Sequence, residues 1–169
     1  MTSWFRRGQA SPQALPPAPV TPDDAPTALA QRAGERLTLV NQNADKLPVA
    51  AVVGIRHVVD TVRLVLADAQ RDAEQRGGEP DVHVIVSVRG IVDDYLPTTV
   101  SRYLALDPAT LDRAGASGMS PRDELVDQID ALWLAATDVL EAARSRDVDD
   151  LVSQGNFLRT KFSGSDLDL

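Results

Sequence analysis

The sequence predicts an all-α protein, an antiparallel bundle of about five helices behind a proline-rich N-terminal tail. Two patterns predict this fold. Apolar residues recur at alternating steps of three and four along several segments, and only residues 82–88 alternate as a strand would. The 169 residues suit one domain, and the hydrophobic fraction of 43% is enough to build a core. Because aromatic residues make up only 4%, leucine, valine and alanine must fill that core.

The N-terminal segment is dense in proline between Ser11 and Pro26. Proline lacks a backbone donor and is excluded from helix interiors. We therefore expect residues 1–26 to form a disordered, semi-extended tail. The helical bundle domain is expected to span residues 27–162, and residues 163–169 are expected to form a short, flexible acidic tail.

The first two helices have clear start and stop signals. Asp23 and Asp24 offer a cap just before Pro26, so a helix is predicted from there to about Asn43. The second helix is marked by an apolar stripe that comprises Val52, Ile55, Val59, Val62, Leu66 and Ala69. The Gly77-Gly78 pair ends it.

Residues 82–106 fit two patterns. Valines at alternate positions from Val82 to Val88 resemble a half-buried strand. A helical stripe from Ile85 to Leu106 is several times longer, and a lone strand would have no partner, so we predict a helix. Pro97 must kink or interrupt that helix near Asp93 and Asp94.

Two more helices are predicted after a loop at residues 109–119. Ser120 is a good cap with Pro121 in the first turn, and the apolar face of that helix includes Trp133. A final helix is expected from about Asp147 and carries Leu158 and Phe162.

Composition excludes several classes of function. The net charge of −8 argues against nucleic acid as a partner, and the absence of cysteine excludes disulfides and thiol chemistry. The two histidines, His57 and His83, lie among apolar helical neighbours and are interpreted as structural. No apolar run is long enough to span a membrane, so a cytoplasmic location is expected, with no cofactor and no bound metal.

The adjacent carboxylates of Asp93 and Asp94 are the weak alternative for catalysis; no other catalytic residue is predicted. Together with Asp60 they could approach a divalent cation. Neighbouring side chains on a helix point about 100° apart, however, so both cannot easily face one ion. A capping role beside Pro97 is the favoured interpretation.

A second candidate lies at the N-terminus. Trp4, Phe5, Arg6 and Arg7 combine two rings with two positive charges, a pattern that suits an anionic membrane surface or a docking motif. So few residues would bind a membrane weakly.

Residues 91–108 carry a recognisable block, in which Tyr95-Leu96-Pro97 is followed by Tyr103. This block resembles the core motif of the XpaC-like family, which is named for halo-indolyl phosphate hydrolysis. Residues 151–162, with Phe157-Leu158 and a final Phe162, are similar to the closing helix of that family. The resemblance covers about residues 49–162, and we interpret its motif residues as architectural.

The resemblance implies an all-helical bacterial protein related in function to TelA-like toxic-anion-resistance proteins. The leading hypothesis is therefore a non-enzymatic accessory protein that binds another helical protein, TelA-like, in a stress or toxic-anion-resistance setting. The first alternative is a metal-dependent phosphomonoester hydrolase, as the family name implies, although no phosphatase machinery is recognisable here. The second is a peripheral membrane-stress protein anchored by Trp4 and Phe5.

Overall fold

The computed structural model describes residues 21–145 and 155–161, and this part of the chain is helical without a strand, as the sequence predicts. Five α-helices are bounded within it: α1 Pro26–Gln42, α2 Val49–Arg76, α3 Val82–Arg89, α4 Leu96–Leu104 and α5 Pro121–Ser145. A π-helical turn, Gly90–Tyr95, joins α3 to α4, and short 3-10 turns cover Pro22–Asp24 and Pro108–Thr110. Residues 155–161 are helical as well.

Residues 82–104 form one composite helical rod, so the helical interpretation of this segment is confirmed. The interruption expected near Asp93 and Asp94 is present as the π-helical turn. Its wider register is visible where the Leu96 amide donates to the carbonyl of Ile91, five residues earlier. Pro97 follows directly and has no amide to donate to Val92. Arg36 donates its Nε to that Val92 carbonyl instead, at 3.3 Å.

The bundle consists of four rods: α1, α2, the composite rod and α5. Short connections at residues 43–48 and 77–81 make α2 antiparallel to α1 and to the composite rod. The contacts between α2 and α5 show that these two helices run parallel. Gly54 lies against Ile129, the His57 ring contacts the Trp133 ring, and Asp68 pairs with Arg144 further along both helices.

One hydrophobic core runs through the bundle, and residues from every rod contribute to it. The stripe predicted on α2 is buried, apart from the partly buried Val52. The core also takes in Leu158 from the 155–161 segment, which is 2% exposed. Small residues allow close approach: a Cβ on Gly54 would lie 2.7 Å from the Ile129 methyl carbon Cγ2.

The ends of the helices follow the local signals in most places. Gly77 adopts a left-handed φ of 63° after α2, a conformation that glycine accepts at little cost. Ser120 accepts a hydrogen bond from the Asp123 amide at 3.2 Å and so caps α5 as predicted. The Asp cap of α1 is wrong, because Ala25 occupies the N-cap position and no side chain bonds there.

Residues 21–26 belong to the folded domain, which corrects the predicted boundary of the tail. Pro22–Asp24 forms a 3-10 turn, and Asp24 is 4% exposed because its carboxylate is bonded from two sides. The other predictions for the tail, and the candidate residues Trp4, Phe5, Arg6 and Arg7, lie outside the described residues. So do Asp147, Phe162 and the acidic tail at 163–169.

Candidate functional site

A cluster of charged side chains surrounds the π-helical turn. Arg32 on α1 holds Asp93 with two parallel hydrogen bonds, Nε to Oδ1 at 3.0 Å and Nη2 to Oδ2 at 2.9 Å. Arg36, one helical turn further, has its Nη2 3.8 Å from the same carboxylate. The hydrogen bond to Asp93 raises the pKa of Arg32 above its ordinary value. The cluster therefore fastens α1 to the π-helical turn.

Asp24 anchors the chain that precedes α1. Its Oδ2 accepts hydrogen bonds from the Thr21 amide at 2.8 Å and from Arg89 Nη1 at 3.0 Å. Burial by itself raises the pKa of Asp24, but the hydrogen bonds from Thr21 and the positive charge of Arg89 outweigh it, so the pKa lies below its ordinary value. Asp24 is therefore a buried, ionised carboxylate. The sequence marked it only as a helix cap.

The weak catalytic candidates are separated by this arrangement. Asp93 is three-quarters buried against two arginines, whereas Asp94 is exposed. Asp60 lies on the solvent side of α2. No three carboxylate or imidazole groups of the described residues stand close enough together to hold a metal ion. The phosphohydrolase hypothesis remains a prediction from the family resemblance alone.

The two blocks that carry the family resemblance meet in space. Tyr95 packs its ring over Gly90, where an added Cβ would lie 3.2 Å from Cε2 of the ring. Burial raises the pKa of Tyr95, the charge of Asp94 adds to this, and the nearby Arg159 opposes it. Arg159 belongs to the 155–161 segment, so that segment lies beside the π-helical turn.

The individual motif residues differ in burial. Leu96 and Leu158 are 2% exposed and belong to the core. Phe157 is 49% exposed and has the Lys161 ammonium 5.4 Å from its ring centre. Tyr103 is buried, and its hydroxyl finds no hydrogen-bond partner in the described part of the chain. The Tyr103 hydroxyl is thus a buried polar group whose desolvation no described partner offsets.

An apolar surface on the opposite side of the bundle is the feature that the sequence missed. Its large side chains are exposed over roughly half of their area or more: Val49 79%, Val53 48%, Leu64 51%, Trp133 42% and Leu134 63%. Trp133 was predicted on the apolar face of this helix, but its ring is exposed and lies against that of exposed His57, with centroids 5.0 Å apart and the planes tilted by 43°. We call these five residues and His57 the apolar ridge.

The apolar ridge can be traced along both helices. Val49, Val53, His57 and Leu64 follow each other at helical spacings and share the solvent face of α2. The ring contact between His57 and Trp133 carries the surface across to α5, where Leu134 continues it. A patch of this kind, built from several large side chains on two helices, is typical of an interaction site.

Acidic residues line the same face of α5. Five of them, with Leu134 between, recur at steps of three and four: Asp123, Asp127, Asp130, Asp138 and Glu141. We call this set the acidic stripe. Among the described residues none of the five forms an ion pair. Burial raises the pKa of Asp138 and the neighbouring charge of Glu141 adds to it. Like charges at this spacing destabilise a helix, so a cationic partner would be favoured here.

A polar groove of about 550 Å³ opens where α2, α3 and α5 meet. Its charged lining balances three aspartates against three arginines: Asp68, Asp72, Asp81, Arg71, Arg76 and Arg144. Asp68 accepts from Arg144 Nε at 2.8 Å, and the others are engaged in local pairs and caps. With no net charge, this groove favours neither cations nor anions.

Comparison with known proteins identifies no relative: no protein-family model matches the chain, and neither does any curated protein or solved structure. Within residues 21–145 and 155–161, no helix combines the length and the apolar character needed to cross a membrane.

Proposed function

We propose that this chain is a non-enzymatic interaction module that binds another helical protein through the apolar ridge and the acidic stripe. The observation that carries the proposal is the exposure of Trp133 and Leu134 beside an acidic stripe that forms no ion pair within the described part of the chain. Aromatic and aliphatic side chains of this size contribute most of the binding energy in protein interfaces. The module is proposed to act in the cytoplasm, as the sequence predicts.

The chemistry of the surface defines the partner. A row of apolar side chains on α2 and α5 suits the apolar face of an amphipathic helix. The acidic stripe beside it favours lysine or arginine on the flanks of that helix and repels an acidic one. The partner is therefore a basic amphipathic helix.

The resemblance to the XpaC-like family supports a TelA-like protein as the source of that helix, in a stress or toxic-anion-resistance setting. The identity of this partner is supported by the resemblance alone. The surface chemistry supports the class of partner independently of its identity.

Binding to a TelA-like protein of the same genome tests the proposal, with affinities measured by calorimetry at about 0.1 M salt. Leu134→Ala removes an apolar side chain that is 63% exposed in the free protein. Burying that fraction of a leucine contributes about 1–2 kcal/mol, so we expect affinity to fall about tenfold.

Leu39→Ala is the matched control. Leu39 is 51% exposed, but it lies on the flank of α1 that carries Arg32 and Arg36, away from the ridge. Its truncation should leave the affinity unchanged. Equal effects of the two substitutions would refute the ridge as the binding surface, and absence of binding at tens of micromolar would refute the TelA-like partner.

A further inference from the structure

We propose that the N-terminal segment of this same chain, through Trp4, Phe5, Arg6 and Arg7, docks on the apolar ridge and the acidic stripe. The two rings match the exposed surface around Trp133, and the two guanidinium groups match the carboxylates beside it. This inference adds an intramolecular occupant to the surface described above. A role for this contact in regulating partner binding rests on the proposed function, whereas the contact itself does not.

The N-terminal segment and the acidic stripe carry opposite charges. Residues 1–20 contain Arg6 and Arg7 and no acidic residue, so the rest of the chain is more acidic than the total of −8 indicates. The α5 face is where that excess is most concentrated within the described helices, since five carboxylates share one stripe. An arginine of residues 1–20 is attracted to that face over about one Debye length, roughly 10 Å at 0.1 M salt.

The N-terminal segment also begins within reach of the acidic stripe. The segment leaves the domain at Thr21, which Asp24 ties to Arg89. Val84 on α3 and Ala143 on α5 line the same groove, so they lie at the same height along the bundle. Because these two rods are antiparallel, Arg89, five residues after Val84, lies at about the height of Asp138, five residues before Ala143. The segment therefore starts at the height of the acidic stripe, on another side of the bundle.

The path around the bundle is short enough. Each helix is about 10–12 Å across, so the route past two helices is roughly 25 Å. Trp4 lies 17 residues before Thr21, and a chain of that length can reach about 53 Å at the polyproline rise of about 3.1 Å per residue. A tether of this length gives an effective concentration in the millimolar range, so even a millimolar intrinsic affinity would fill about half of the sites.

Because the 169 residues include no cysteine, a single introduced cysteine can be labelled selectively. Ser3→Cys creates a single site for a nitroxide spin label, and line broadening of backbone amides by NMR reports which surface it approaches. We expect at least twofold loss of amide intensity around Val53 and Leu134, and none around Leu39. Uniform or absent broadening would overturn the proposal.

Two sets of charge changes sharpen the result. Asp127→Lys with Asp130→Lys reverses two exposed carboxylates of the stripe and should abolish the broadening. Glu35→Lys with Glu79→Lys makes the same total change at exposed positions elsewhere and should preserve it. Unchanged chemical shifts in the core would show that each variant is folded. Loss of broadening in both pairs would overturn the proposal, since it would show dependence on net charge alone.

A mixed sample separates this contact from its alternatives. Spin-labelled chain without ¹⁵N is added to ¹⁵N chain without label, and we expect no broadening. Broadening in this mixture would assign the contact to a second copy and overturn the intramolecular proposal. These measurements contain no partner protein, so their failure and a failure of TelA-like binding are distinguishable.

Discussion

Alanine substitutions at two helical glycines should change the stability of the fold in opposite directions, although the added Cβ would meet its nearest neighbour at the same distance in both. A Cβ added to Gly54 on α2 would lie 2.7 Å from Cγ2 of Ile129, and one added to Gly34 on α1 would lie 2.7 Å from Nη2 of Arg63. Ile129 is fully buried, whereas the Arg63 atom is the tip of a long side chain on the surface. Only the second neighbour can move aside freely.

The magnitudes follow from helix propensity and packing. Alanine is favoured over glycine inside a helix by about 0.8–1.0 kcal/mol, so Gly34→Ala should stabilise the fold by about 1 kcal/mol. At Gly54 the same gain is opposed by overpacking between two helices, which costs about 1–3 kcal/mol. The expected net effect of Gly54→Ala is a destabilisation of about 1 kcal/mol.

Unfolding in urea, followed by circular dichroism at 222 nm, measures both changes. For a chain of this size, 1 kcal/mol corresponds to about 2–4 °C in Tm, so thermal unfolding should separate the two variants clearly. The slope against urea should stay constant, because neither substitution alters the surface exposed on unfolding.

A third variant identifies the clash itself. Ile129→Leu removes the branched methyl carbon at nearly constant volume, so Gly54→Ala should cost less in that background by about 1 kcal/mol or more. If Gly54→Ala stabilised the wild-type chain as much as Gly34→Ala does, the close parallel contact between α2 and α5 would be refuted.

Two further predictions concern buried polar groups. Asp24→Asn should destabilise the fold by about 2–3 kcal/mol at pH 7, because Arg89 loses its charged partner. Since the folded pKa of Asp24 lies below its unfolded value of about 3.9, this advantage of the wild type is present above that value and is lost as pH falls through the folded pKa. Urea unfolding of both proteins at pH 7 and below pH 4 checks this, and a difference that does not shrink in acid would contradict it. Tyr103→Phe removes a buried hydroxyl without a described partner, so stability should stay within about 0.5 kcal/mol or rise; a loss above about 1 kcal/mol would show that the hydroxyl is hydrogen-bonded.

The helices could be predicted from the sequence because their signals are local. On α2 the stripe of apolar residues repeats with the helical period over many turns, and Gly77 marks its end. For residues 82–104 the length of the two patterns distinguished helix from strand, since the helical stripe is longer than the alternation of valines. Pro97 predicted the position of the irregular turn, because the loss of one amide must be compensated nearby.

The charged cluster could not be predicted from spacing. Arg32 and Asp93 are 61 positions apart, and their pairing depends on how α1 crosses the composite rod. Asp24 carries the sequence signature of a helix cap, and only its burial beside Arg89 shows that it serves as an anchor. Position relative to other helices decides such roles.

The candidate interaction surface was missed for the same reason. Trp133 belongs to an apolar stripe wide enough to extend beyond what the neighbouring helices cover. The acidic stripe was present in the sequence at helical spacing, but the charge alone is equally typical of any solvated helix face. The acidic stripe indicates an interaction surface only once Leu134 and Trp133 are seen to be exposed on the same side of the bundle.

By itself, then, the amino-acid sequence determined which segments are helical, most of the positions where they start and stop, and where the composite rod is interrupted, because hydrogen bonding and side-chain periodicity act over a few residues. Tertiary structure alone decided that α2 and α5 run side by side in parallel, that Asp24 and Asp93 are held by arginines, and that Trp133 faces solvent. Those outcomes depend on which faces of the helices pack against each other. When the apolar stripe of a helix is wider than the surface that its neighbours cover, the packing of the whole bundle decides which apolar residues are buried.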